Sequence, residues 1–168
     1  MRNDALNPEE TRQLLESMLA CDTRGLRNWL SRTEVKMHRA LQFLVAGGEP
    51  YRCQAGERLI AVLPNGDLLP CRRMPVVVGN LLTTSLRKLY DESPFLQALR
   101  DPERVSAGCE GCFYAGLCRG GLKCLSLALT GDPFQADPGC WRSVAGDPRA
   151  DASGPLDQPC PSARHAGR

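Results

Sequence analysis

Apolar positions in the first 48 residues recur at the spacing of an amphipathic helix. Leu14, Leu15, Met18 and Leu19 share one face. They follow Asn7-Pro8-Glu9-Glu10, which sets an N-cap, a proline at the first helical position and a glutamate at the third. This predicts a helix over 8–20. A second start falls at Ser31, with Glu34 three residues on and a stripe of Met37, Leu41, Leu44 and Val45 ending at Gly47-Gly48. This predicts a helix over 31–46. The acidic residues at both starts complement the helix dipole and are not read as an acid–base pair. His38 is read as a packed or solvated helical residue.

From Arg52 the pattern changes to strand–turn–strand. Leu59 to Leu63 and Leu68 to Cys71 flank Pro64-Asn65-Gly66-Asp67. Asn-Gly between apolar runs predicts a hairpin with both turn positions at positive φ. That hairpin returns Cys71 towards Cys53, which pairs the two as ligands of one centre. Two short helices are expected next, one near Thr84–Tyr90 and one over Phe95–Arg100 opened by Ser93-Pro94. Beyond Trp141 the chain is rich in Gly, Pro, Asp, Arg and Ala, and disorder is expected from about residue 145. The organisation is therefore a helical segment over 1–48, a small cysteine-rich domain over 49–142 and a tail over 143–168. The fold class is α+β.

Composition narrows the function. In 168 residues, 21 Lys and Arg face 19 Asp and Glu, a net charge of +2, which argues against nucleic acid as a partner. The apolar runs are far shorter than the roughly 20 residues of a membrane-spanning helix. The start, MRNDALNPEETRQ, lacks the apolar stretch of a secretory signal, so a cytoplasmic location is expected. Aromatic residues make up 5% of the chain, too few for a large aromatic core. The surplus is nine cysteines. In a reducing compartment an odd set of thiols is not a disulfide scaffold.

Cys21 and Cys160 stand apart and are read as bystanders. The other seven are Cys53, Cys71, Cys109, Cys112, Cys118, Cys124 and Cys140, spaced C-x17-C, C-x2-C-x5-C-x5-C and a distal C. Seven thiolates exceed the four ligands of one centre, so two centres are the economical reading. Thiolates suit zinc and iron–sulfur clusters alike, and spacing does not separate the two. Gly111, Gly116, Gly120 and Gly121 lie among these ligands, where glycine lets backbone N–H groups approach sulfur. Ordinary turn chemistry would explain them equally well.

Cys53, Gly66, Cys71, Cys109-x2-Cys112-x5-Cys118, Cys124 and Cys140 together resemble the SPASM domain, the auxiliary-cluster extension of radical SAM enzymes that modify peptides and proteins. Pro64-Asn-Gly-Asp, Gly79-Asn80-Leu81, Cys118-Arg-Gly-Gly121 and Asp137-Pro-Gly-Cys140 extend the likeness over about 50–141. The two N-terminal helices resemble the tail of the catalytic barrel that precedes such a domain.

The resemblance implies two 4Fe-4S clusters, with Cys53, Cys71 and Cys124 on the first and Cys109, Cys112, Cys118 and Cys140 on the second. It also implies electron transfer and substrate positioning, with a radical SAM enzyme or catalytic subunit as partner and a peptide as substrate. Three features depart from the family pattern. Five residues, not three, separate Cys118 from Cys124. Leu59 stands where some members carry a further cysteine. The C-x3-C-x2-C loop that binds S-adenosylmethionine is absent from these 168 residues. Autonomous radical SAM activity is therefore not expected, and the chain is read as an accessory or fragment of a maturase. The competing reading is a zinc-stapled interaction module without a redox role.

Overall fold

The computed structural model describes residues 5–22 and 39–142. The expected helix start at Ser31, Met37, His38, Cys160 and the tail over 143–168 lie outside the described residues, as does the side chain of Cys21. Helix α1 (Pro8–Asp22) opens as its sequence dictates. The Glu10 N–H donates to Asn7 Oδ1 and the Asn7 N–H to Glu10 Oε2, each at 2.8 Å, so two orphan donors are satisfied reciprocally. Leu15, 1% exposed, anchors the helix against α2 (Phe43–Ala46). Within the expected 31–46 helix, residues 39–42 form a turn in which the Gln42 side chain accepts the Arg39 N–H at 2.9 Å.

The sheet has three antiparallel strands in the order β1 (Ala61–Val62), β2 (Asp67–Leu69), β3 (Gly79–Asn80). Ala61 pairs Leu69 and Val62 pairs Leu68. The hairpin is where expected, but its turn differs. Gly66 alone in the loop takes positive φ, at +88°, while Asn65 does not. The Gly66 N–H bonds the Leu63 carbonyl and the Leu63 N–H the Asp67 carbonyl, both at 2.9 Å. This is a three-residue loop, a turn closed by a left-handed glycine. Pro64 explains it, because its ring holds φ near −65° and favours the second position of such a turn.

Strand β3, not anticipated from the sequence, is tied to this loop through Asn80. Its Nδ2 donates to Asn65 O and Asp67 Oδ1, both at 2.9 Å, and its Oδ1 accepts the Leu82 N–H at 2.8 Å.

Helices α3 (Leu86–Glu92) and α4 (Pro94–Arg100) start at Ser85 and Ser93, whose hydroxyls accept the Lys88 and Leu96 N–H groups. Leu96 and Leu99 of α4 meet Ala55, Leu68 and Met74 in the core, and Cys53 and Cys71 pack at its edge. The remaining elements are α5 (Ala115–Cys118) and α6 (Lys123–Thr130), the latter closed by Gly131 in the left-handed region. The architecture is α+β, with a small sheet, short helices and the cysteines at its margins. Among the described residues no helix is long and apolar enough to cross a membrane.

Candidate metal centre

The first set of thiols gathers where the hairpin meets α6. The Gly56 N–H donates to the Pro70 carbonyl at 2.9 Å, which lays the segment after Cys53 alongside the residue before Cys71. The Arg73 N–H points at Cys71 Sγ, 3.5 Å away. Cys124 comes from the first turn of α6. Burial pushes its thiol pKa up, and the nearby Cys53 and Cys71 push it further, while Arg73 opposes them. The Tyr51 hydroxyl belongs to the same neighbourhood. Its pKa is raised by burial and then by Cys53, Cys124 and Cys71. Leu59, at the position where a fourth cysteine would stand, is 47% exposed.

The second set is built from consecutive turns. The Cys112 N–H bonds the Cys109 carbonyl at 3.0 Å, the Cys118 N–H bonds the Tyr114 carbonyl at 2.8 Å, and the Cys140 N–H bonds the Asp137 carbonyl at 2.8 Å. Cys109, Cys112, Cys118 and Cys140 line one cavity, roofed by Phe43 and Tyr114, whose rings meet edge to face at 5.1 Å. Space not filled by atoms amounts to ≈ 350 Å³ there, open solvent included. Burial first, and then Cys140, Cys112 and Cys118, push the Cys109 thiol up to about 11. Cys118 is also raised by burial, and the N–H groups of Gly121 and Gly120 directed at its sulfur pull the other way.

The four glycines of the cluster divide sharply. Gly111 and Gly116 have open space where a side chain would go. Gly120 and Gly121 take φ of +84° and +71°, and a Cβ on either would collide with Ser106 or Asp137. Only these two are required, and they are the ones whose backbone N–H groups lower the Cys118 pKa.

Asp137 links the walls of this cavity. It is 4% exposed, and its two oxygens accept the Leu122 and Gly139 N–H groups at 3.0 Å. Burial raises its pKa, and those two hydrogen bonds lower it. One carboxylate thus fixes the Cys118–Cys124 turn to the loop carrying Cys140.

All seven cysteines are free thiols. Among the described residues no group of three or more His, Cys, Asp or Glu side chains is arranged to hold a metal ion. The chemistry of the donor set nevertheless fits a sulfur-ligated cluster, with soft thiols, backbone N–H groups aimed at sulfur, partial burial and glycines that admit a close approach.

A family model described as an iron–sulfur cluster-binding domain, SPASM, matches residues 53–113. These residues form a SPASM domain. The match includes Cys53, Cys71, Cys109 and Cys112, and the fold carries Cys118, Cys124 and Cys140 back to them from beyond it.

The chain is 28% identical over 172 residues to a PqqA peptide cyclase of Xanthomonas euvesicatoria pv. vesicatoria (strain 85-10), covering 96% of this chain and 44% of that protein. A PqqA peptide cyclase of Methylocella silvestris is 35% identical over 100 residues, 56% of this chain and 27% of the relative. An AdoMet-dependent heme synthase of Methanosarcina barkeri is 31% identical over 88 residues, 52% of this chain and 25% of the relative. The chain spans less than half the length of each of these relatives.

Several residues at this SPASM site carry little signal in the sequence. Tyr51 and Arg73 lie two positions from a cysteine, and Lys123 lies next to one, which is the only signal they carry. Asp137 was visible as part of Asp-Pro-Gly-Cys but not as the bridge between two cysteine loops. That role depends on contacts 15 residues apart.

Proposed function

We propose that this SPASM domain holds two 4Fe-4S clusters and serves, as accessory or fragment, a radical SAM maturase acting on a peptide. Cys53, Cys71 and Cys124 would hold the first cluster, and Cys109, Cys112, Cys118 and Cys140 the second. The observation that carries the reading is electrostatic. After burial, Cys124 is influenced most by Cys53 and Cys71, and Cys109 by Cys140, Cys112 and Cys118, and the latter four line one cavity, which supports a division into a three and a four. Bound clusters would supply one-electron transfer to or from the partner's radical site. The protein's share is to present deprotonated sulfurs, donate N–H bonds to them from Gly120 and Gly121, and shield the second set beneath Phe43 and Tyr114. With three thiolates, the first centre would keep one position without a protein sulfur, suited to positioning a substrate. The cleavage of S-adenosylmethionine would fall to a radical SAM domain or subunit outside these 168 residues. A cytoplasmic setting suits the free thiols.

The test is anaerobic reconstitution of the full chain, followed by iron, sulfide and zinc analysis. About seven to eight irons per chain with matching sulfide are expected. Two zincs without sulfide would leave the structural-zinc reading in its place. In Cys112→Ala the iron content should fall by about half, with the secondary structure retained. Loss of both centres in a folded variant would contradict the division into three and four.

A further inference from the structure

Between the two thiol sets lies a small cavity lined by Cys53 of the first, Cys118 of the second, and three cationic side chains, Arg52, Arg119 and Lys123. The Glu57 carboxylate occupies Arg52 at 2.6 Å. The other two cations are buried on neutral acceptors. Arg119, 6% exposed and in the left-handed backbone region at φ +57°, donates to the Asp101 carbonyl. Lys123, 9% exposed, donates from Nζ to Ser106 Oγ at 2.7 Å. Among the described residues no carboxylate is paired with Lys123.

Burial of an ammonium beside a guanidinium is unfavourable unless negative charge faces them both. Here the candidates are the thiolates. Lys123 lines the same cavity as Cys53 and Cys118; burial and Arg119 lower its pKa, and Cys53, Cys109 and Cys118 act in the opposite direction. The five-residue spacer between Cys118 and Cys124 is what supplies this side chain, at the first position of α6.

We propose that Lys123 is a positioning residue shared by both centres, a fixed positive charge between Cys53 and Cys118 that raises the reduction potentials of the two clusters together. The inference rests on the two-cluster reading above. A nearby buried cation stabilises the more negative, reduced state of each centre, and burial limits the screening that water would provide.

The experiment compares reconstituted wild-type full-length chain with Lys123→Met, which keeps length but not charge, and Lys123→Arg, which keeps charge. Iron, sulfide and circular dichroism are measured on the samples used for EPR-monitored redox titration with dithionite as reductant. Both midpoint potentials should fall in the Met variant and stay near wild type in the Arg variant. If the Met variant assembles no clusters while the Arg variant assembles both, the charge is again what matters. Unchanged potentials in Lys123→Met, a shift in one centre alone, or equal loss of clusters in both variants would overturn the proposal. Wild type that takes up zinc without sulfide would instead remove the two-cluster reading and this inference with it. Wild type with two clusters and an unresponsive Lys123→Met removes only the inference.

Discussion

Gly121→Ala tests the construction of the second centre most directly. At φ +71° an alanine pays the left-handed penalty of about 1–2 kcal/mol. Its Cβ would also lie 2.6 Å from Asp137 Cβ and 2.7 Å from Asp137 Oδ2. Asp137 cannot yield freely, because its oxygens hold the Leu122 and Gly139 N–H groups at 3.0 Å. Breaking one hydrogen bond to a charged acceptor costs about 1.5–3 kcal/mol. The sum is roughly 3–5 kcal/mol, a large share of the 5–15 kcal/mol typical of whole domains. With a urea slope of about 2 kcal/mol per molar, the unfolding midpoint should fall by roughly 2 M. Gly116→Ala is the internal control. It has open space and helical surroundings, so it should be neutral or raise stability by about 0.5–1 kcal/mol. The assay is urea unfolding followed by circular dichroism, on metal-free protein under reductant. Equal midpoints for the two variants would refute the claim that the contact of Gly121 with Asp137 holds this turn.

Other consequences are equally direct. Leu68→Ala empties a fully buried core position and should cost about 2–5 kcal/mol, read as a lower thermal midpoint. Asn80→Ala removes the anchor between β3 and the hairpin loop, where each lost hydrogen bond contributes about 0.5–1.5 kcal/mol; faster amide exchange at Leu82 would register it. The Cys109 thiol, pushed from 9.0 to about 11 by burial and its neighbours, gives a pH signature in metal-free protein. Because the folded value lies above the unfolded one, its contribution is complete below about pH 9 and is lost as the pH rises towards 11. The urea midpoint should therefore decline across that range, and less steeply in Cys109→Ala. A decline of equal slope in the variant would show that Cys109 is not responsible.

Local chemistry was legible residue by residue. The capping box of α1 and the Ser93-Pro94 start of α4 depend on side chains three positions away, so they form as written. The hairpin's place was clear from its apolar flanks, but its turn geometry was not, because Pro64 outweighed the Asn-Gly preference. The number and spacing of the thiols, and through them the SPASM resemblance, were also visible in the chain itself. Tertiary structure decided what spacing cannot express. It brought Cys124 near Cys53 and Cys71, and it set Cys140 in one cavity with Cys109, Cys112 and Cys118. It separated the required Gly120 and Gly121 from Gly111 and Gly116, since a glycine is needed only where another part of the chain presses on it. It also placed Lys123 between the two sets. That position is set by packing between segments distant in sequence, and no local pattern records it.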